Sequence, residues 1–179
     1  MKKGQVYTGQ VEEVKFPNKG VVRVDDTEGE TCVVKNVIKG QRIEFQVSKK
    51  KGGKCEGRLL NVLQKAENEI DPVCRYFGVC GGCTYQNLPY DEQLELKKKQ
   101  VGELIKPVYE RMISQVEGEH ADFDDIYMGV KASPIQYEYR NKMEFSFGNE
   151  VKDGPITLGM HKKGSMHDIV TVTDWNKVC

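Results

Sequence analysis

Three cysteines stand close together in the stretch CRYFGVCGGCTYQ at residues 74–86. Cys74, Cys80 and Cys83 have the spacing C-x5-C-x2-C, and Cys179 follows after 95 intervening residues. Four thiolates can hold a zinc ion or an iron–sulfur cluster. The glycines between the clustered cysteines let the backbone curl around such a group, with amides facing the sulfur atoms. The spacing therefore indicates a metal site.

The kind of site is narrowed by spacing and by the expected compartment. Structural zinc usually takes two closely spaced cysteine pairs, whereas a group of three with one distant cysteine is more typical of [4Fe–4S]. The start, MKKGQVYTGQ, lacks the apolar segment of a signal peptide, and no apolar run approaches the length of a membrane span. We therefore expect a cytoplasmic protein with no membrane partner, where disulfides are disfavoured. Zinc and metal-free thiols remain open alternatives.

The charge is divided unevenly along a chain whose net charge is zero. Residues 1–65 carry 14 Lys and Arg against 8 Asp and Glu, a net of +6, and the remainder carries 13 against 19, a net of −6. A basic first third predicts contact with a polyanion, most simply nucleic acid. Within it, the loop SKKKGGK places four basic side chains at a hairpin tip, where we expect phosphate contacts: Lys49, Lys50, Lys51 and Lys54.

The elements that must position these groups are mainly β with some α. Residues 1–65 contain five short strands rich in Val and Ile, which predict a small closed barrel of the OB type. Cys32 and Cys55 fall inside these strands and are predicted to be small core residues. Residues 66–87 form a polar connector that carries the clustered cysteines.

Residues 88–116 have apolar side chains at three- and four-residue steps, which predicts a long amphipathic helix. Pro107 is expected to kink or divide it, and an acidic, mobile loop is expected at 117–125. The stripe consists of Leu94, Val101, Leu104, Ile105, Val108, Met112 and Ile113.

Strand patterns return over 126–179, which predicts an antiparallel sheet, so that helix and sheet form an α+β central domain. In QYEYRNKMEFSFG, Tyr137, Tyr139 and Phe147 share one side of a two-residue alternation, and this side is expected to face a core.

The cysteine group, together with YRNKMEFSFG and GMHKKGSMHDIV…C, resembles the RNA uracil-5-methyltransferase family, which makes 5-methyluridine in ribosomal and transfer RNA. The barrel resembles the TRAM domain, the RNA-binding module of the 23S ribosomal RNA branch. The resemblance extends over essentially the whole chain. It implies that Cys74, Cys80, Cys83 and Cys179 bind a [4Fe–4S] cluster that serves folding and RNA positioning.

The resemblance also implies that the central β-domain faces RNA, through Arg140, Lys142, Lys162 and Lys163. In that family a cysteine nucleophile, a carboxylate base and the S-adenosylmethionine site lie in a C-terminal catalytic domain. We find none of these residues here, so we expect this chain to be inactive alone and to bind no S-adenosylmethionine. The cluster is expected to be at risk of loss in such a fragment.

The helix at 88–116 is expected to pack on the catalytic domain in the family. Its apolar stripe would then need another cover here: self-association through the helix at 91–113, or folding back onto the β-domain. The alternative is that it belongs to the central domain's own core.

Three other functions were weighed. Ribosomal RNA is the expected target, with transfer RNA as an alternative. A stand-alone, metal-stabilised RNA-binding module without catalysis is another. A radical S-adenosylmethionine methylthiotransferase also joins a TRAM barrel to a cluster, but its C-x3-C-x2-C motif and C-terminal barrel do not match this chain.

Overall fold

The computed structural model describes residues 1–140 and 142–172. These residues divide into two compact units, and each combines two separate parts of the chain. The first unit comprises Met1–Glu67 and Tyr90–Ala132. The second joins Asn68–Pro89 to the chain from Ser133 onward, so the cysteine-rich connector shares a unit with the later strands.

The first unit is built on a closed five-stranded barrel with the strand order β1-β2-β3-β5-β4, as the sequence predicted. Neighbouring strands are antiparallel except β3 and β5, which pair in parallel. The strands are β1 (Val6–Lys15), β2 (Lys19–Val24), β3 (Thr31–Val34), β4 (Arg42–Lys51) and β5 (Lys54–Gln64).

The barrel is filled by one side of each alternating strand. Val22, Val34, Ile43 and Phe45 are completely buried. Close packing here depends on Gly57, because a Cβ at that position would lie 2.6 Å from the Phe45 ring. The predicted β-branched strands thus form the core because their alternating side chains point to the barrel interior.

One long helix, α1 (Tyr90–Ile113), follows the connector and is joined by a short helix, α2 (Phe123–Ile126). The side chain of Gln100 is buried and donates a 2.9 Å hydrogen bond to the Val14 carbonyl of β1. The helix therefore contacts the barrel within the first unit. The sequence analysis did not anticipate this contact, because a polar residue on a helix gives no signal of burial.

Pro107 does not divide α1, contrary to one of the two expectations for it. The segment expected to be a mobile acidic loop instead packs there. Phe123 of α2 is buried, with its ring 5.8 Å from that of Tyr109, and Lys106 lies 2.7 Å from Asp124. These contacts support the helix on both sides of the proline and offset the backbone hydrogen bond that it removes.

The later part of the apolar stripe on α1 is exposed in the single chain. Leu104, Ile105, Val108 and Met112 are between 46% and 61% accessible. Leu94, Val101 and Ile113 are only partly covered. Self-association through this face stays a prediction.

The second unit contains a three-stranded antiparallel sheet in the order β6-β7-β8. Its strands are β6 (Ser146–Asn149), β7 (Ile156–His161) and β8 (Ile169–Thr171). Ile169 is buried against two glycines, since a Cβ at Gly148 would lie 2.5 Å from its side chain.

The long strand expected over residues 136–148 is wrong for most of its length. Only Ser146–Asn149 is a strand. Glu138 has a φ of 57°, a left-handed conformation that interrupts an extended chain. Tyr139 and Phe147, which were expected to face a core, are 56% and 79% exposed.

No helix in the described ranges is long and apolar enough to cross a bilayer.

Candidate metal centre and RNA-binding surface

The clustered cysteines lie in a loop, residues 74–83, called here the thiol loop. Cys74, Cys80 and Cys83 are all half-buried, and none of the five described cysteines forms a disulfide. Backbone hydrogen bonds from Phe77 to Cys74 (3.0 Å) and from Cys80 to the Tyr76 carbonyl (2.9 Å) shape its turns. The three thiols are therefore held on one short, curled segment and are accessible to a ligand.

Gln86 links the two ends of the thiol loop. Its Oε1 accepts a 3.0 Å hydrogen bond from the Cys74 amide, and its Nε2 lies 3.6 Å from the Cys83 sulfur. The amide of Gly82 lies 3.3 Å from the Cys80 sulfur. Donors directed at sulfur favour the thiolate, which is the form that binds metal.

The thiol loop is also paired with the turn between β7 and β8. Gly81 donates a 2.9 Å hydrogen bond to the His161 carbonyl, and Lys163 donates one of 2.7 Å to the Val79 carbonyl. Between them, Cys80 and Lys162 form an isolated antiparallel bridge. Gly81 is needed for this approach, because a Cβ there would lie 3.2 Å from the His161 oxygen.

Lys163 lies inside this arrangement. Its Nζ is 3.4 Å from the Cys83 carbonyl oxygen and 5.3 Å from the centre of the Phe77 ring. Burial lowers the pKa of Lys163, while attraction to Cys83 and Cys80 opposes that effect. The side chain predicted to contact RNA is thus half-buried against the thiol loop.

The metal-binding capacity of the described residues depends on the kind of metal group. Within 1–140 and 142–172, no three His, Cys, Asp or Glu side chains are grouped closely enough for a single metal ion. A [4Fe–4S] cluster binds each thiolate to a different iron and so spaces the thiolates more widely than one zinc ion does. A curled loop of three accessible thiols with amides directed at sulfur fits such a cluster. The predicted fourth ligand, Cys179, lies outside the described residues.

The lysine-rich hairpin tip joins β4 to β5. Lys51 and Lys54 are directly opposite each other in the strand register, and both are exposed. Like charges in this position destabilise a hairpin, and a bound polyanion would relieve the repulsion. The other two lysines have acidic neighbours: Lys50 lies 3.3 Å from Glu30, and Lys49 lies 4.0 Å from Glu56.

The remaining predicted RNA contacts are exposed side chains in the second unit. Arg140 contacts the sulfur of Met143 at 3.6 Å, and Lys142 pairs with Glu144 at 2.8 Å. Lys162 has an exposed side chain, although its backbone forms the bridge to Cys80.

The two barrel cysteines are core residues, as predicted. Cys32 and Cys55 are 1% and 4% exposed. Burial, followed by the neighbouring Cys55 thiol, raises the pKa of Cys32 far above its ordinary value. A thiol held neutral in this way is a poor metal ligand and nucleophile.

The sequence analysis missed two contributors to the thiol loop: Gln86 and Phe77. Gln86 is the last residue of the cysteine-rich stretch, only three positions after Cys83, and this spacing was the one available signal. Phe77 lies between two cysteines and had no feature that distinguished it from a core aromatic residue.

Comparison with known proteins adds the name of a function. A protein named as an uncharacterized RNA methyltransferase in Caldanaerobacter subterraneus subsp. tengcongensis is 39% identical over 178 residues, covering 99% of this chain and 36% of the relative. A protein of the same description in Clostridium tetani is 37% identical over 174 residues, 97% of this chain and 35% of the relative. One in Clostridium acetobutylicum is 38% identical over 178 residues, 99% of this chain and 36% of the relative.

These relatives support an RNA methyltransferase family. The chain spans little more than a third of the length of each of them. No established protein-family profile matches it.

Proposed function

We propose that this chain is the RNA-binding and iron–sulfur portion of an S-adenosylmethionine-dependent RNA uracil-5-methyltransferase that makes 5-methyluridine in 23S ribosomal RNA. The observation that carries the proposal is the thiol loop, with its three accessible cysteines, its sulfur-directed amides and its pairing with the β7–β8 turn. The names of the relatives support the transferase class and an RNA substrate.

In this proposal Cys74, Cys80, Cys83 and Cys179 bind a [4Fe–4S] cluster. When bound, the cluster supplies a covalent tie between distant parts of the chain and restricts the unfolded state. The chain's own residues do the rest: Gln86 spans the two ends of the thiol loop, and the amide of Gly82 supports the Cys80 thiolate. These contacts orient the thiolates before the cluster binds.

The RNA-binding part of the proposal rests on the barrel and its basic hairpin. Lys51 and Lys54 form a like-charged pair at the tip, which suits two neighbouring phosphates of a single strand. Phosphate contacts would supply affinity without reading the sequence. Methyl transfer itself is assigned to a nucleophilic cysteine and a carboxylate base of the whole enzyme, and this chain is proposed not to methylate RNA alone.

The test begins with anaerobic purification of the 179-residue chain and measurement of iron, sulfide and zinc. We expect about four irons and four sulfides per chain with a broad visible absorption band. Serine substitution of each proposed ligand should abolish the band, while Cys32→Ala, in the barrel core, should retain it. One zinc ion without sulfide would contradict the iron–sulfur proposal and favour a metal-stabilised RNA-binding module.

The RNA target is tested separately by competition. A fragment of 23S ribosomal RNA should compete for the chain more strongly than unmodified transfer RNA at the same salt concentration. Stronger competition by transfer RNA would support that substrate instead. Substitution of the cluster ligands does not alter the barrel hairpin, so the two parts of the proposal can fail independently.

A further inference from the structure

Lys163 has a buried basic side chain that nucleic-acid binding does not explain. Its Nζ lies 3.4 Å from the Cys83 carbonyl oxygen and 5.3 Å from the centre of the Phe77 ring. Its neighbour Lys162 has the same charge and an exposed side chain. The chain therefore has two adjacent lysines, one turned towards the thiol loop and one accessible to solvent.

The backbone around Lys163 keeps it in this position. The amide of Lys163 donates a 2.7 Å hydrogen bond to the Val79 carbonyl, and the His161 carbonyl accepts one of 2.9 Å from Gly81. Both partners lie within the thiol loop. The register between the loop and the β7–β8 turn thus directs this lysine, rather than Lys162, to the cysteine side.

The chemistry at this position is charge compensation. Placing several thiolates on one short loop concentrates negative charge, which a nearby ammonium group offsets. The same ammonium contacts the Cys83 carbonyl and so restrains the backbone that carries one proposed ligand. Groups that orient metal ligands in this way commonly determine how firmly the metal is retained.

We propose that Lys163 is a positioning residue for the iron–sulfur cluster, holding the Cys83 end of the thiol loop and offsetting the thiolate charge so that the cluster is retained. This inference rests on the iron–sulfur part of the proposed function. It assigns Lys163 to the metal centre instead of to RNA, and it leaves Lys162 as the RNA-facing lysine of the turn.

The test compares Lys163→Met with Lys162→Met in the complete chain, each reconstituted anaerobically with iron and sulfide. Methionine keeps an apolar stem against Phe77 while removing the charge. We expect K163M to lose its visible absorption under chelator about tenfold faster than wild type, and to have a lower reduction potential, because the ammonium stabilises the more negative reduced cluster. K162M should match wild type in both measurements.

Lys163→Arg and the apo-protein provide the remaining controls. K163R keeps the charge and should restore most of the retention and of the potential. If K163M lowers the urea midpoint of the apo-protein, K163R decides the question: near-normal retention supports the proposal, and loss as fast as in K163M overturns it. Equal retention and potential in K163M, K162M and wild type would also overturn it. Wild type without iron and sulfide would overturn the iron–sulfur function itself, and the inference with it.

Discussion

The side-chain amide of Gln100 donates a 2.9 Å hydrogen bond to the backbone carbonyl of Val14, 86 residues earlier in the chain. Gln100 is only 4% exposed, and it is the one buried polar residue of α1. The contact joins the long helix to strand β1 within the first unit. A carbonyl at this buried position has little access to water, so losing its donor leaves it unsatisfied.

Gln100→Ala is therefore expected to lower the free energy of unfolding by about 1–3 kcal/mol. Urea denaturation followed by circular dichroism in the helical band measures the change. The matched control is Lys97→Ala, an exposed position on the same helix, which should change stability by less than about 0.5 kcal/mol. Equal effects of the two substitutions would show that the hydrogen bond to Val14 does not hold the helix in place.

Neutralising the hairpin tip should weaken RNA binding without destabilising the barrel. In the double variant Lys51→Gln with Lys54→Gln, removal of two phosphate contacts should reduce the salt dependence of single-stranded RNA binding by about 0.7 logarithmic units per contact. Relief of the repulsion between these opposed lysines should leave hairpin stability unchanged or slightly higher. Fluorescence anisotropy over a salt series measures the slope.

The control for the hairpin is the pair Lys97→Gln with Lys131→Gln, which removes the same charge from two other exposed positions of the first unit. This pair should change the slope far less. If both double variants reduce the slope equally, binding depends on overall charge, and the hairpin has no special role.

Gln86→Glu should weaken retention of the proposed cluster with almost no change in side-chain size. The substitution keeps an oxygen for the Cys74 amide but replaces the Nε2 donor near the Cys83 sulfur with a carboxylate oxygen. Repulsion between carboxylate and thiolate should then speed cluster loss by about tenfold or more. Chelator-induced decay of the visible absorption gives the rate. Gln115→Glu, outside the thiol loop, should decay like wild type.

Stability of the metal-free chain should decline in alkaline solution. Burial raises the pKa of Cys32 above its ordinary value of 9.0. The folded chain therefore keeps this proton at a pH where the unfolded chain loses it, so the free energy of unfolding falls as pH rises above about 9. The decline is at most about 1.4 kcal/mol per pH unit for one thiol.

Urea denaturation between pH 8 and 10.5, with reductant and chelator, measures this dependence. Cys32→Val removes the titrating group and should flatten the curve, whereas Cys74→Val, at a half-exposed position, should retain the wild-type slope. A parallel decline in all three proteins would assign the effect to groups other than Cys32.

The exposed face of α1 predicts self-association. Leu104, Val108 and Met112 are each more than half accessible, and burying them against a second copy would be favourable by about 1.5–3 kcal/mol for each side chain. Sedimentation equilibrium should detect dimers that Leu104→Glu with Val108→Glu abolishes. Glu95→Gln, on an exposed part of the helix away from this face, should leave the association unchanged. A monomeric wild type at high concentration would contradict the prediction.

Local patterns were sufficient for the regular elements of the first unit. The alternation of Val and Ile predicted the barrel strands, and the apolar steps between Leu94 and Ile113 predicted α1, because periodicity follows from which side of an element is buried. Cys32 and Cys55 could be assigned to the core for the same reason. The thiol loop could be located from the spacing of three residue types that share one chemistry.

The arrangement of the second unit depended on contacts that no short pattern contains. The alternation at 137–147 suggested a strand, yet the left-handed backbone at Glu138 and the exposure of Phe147 show that it does not cover a core. Lys162 and Lys163 are identical in type and adjacent in sequence. Only the pairing of the β7–β8 turn with Val79 and Gly81 directs Lys163 to the cysteines. The sequence by itself determined which residues could bind metal or phosphate, because residue type and spacing carry that chemistry. Tertiary structure decided which of them meet, because those contacts join backbone groups some eighty residues apart.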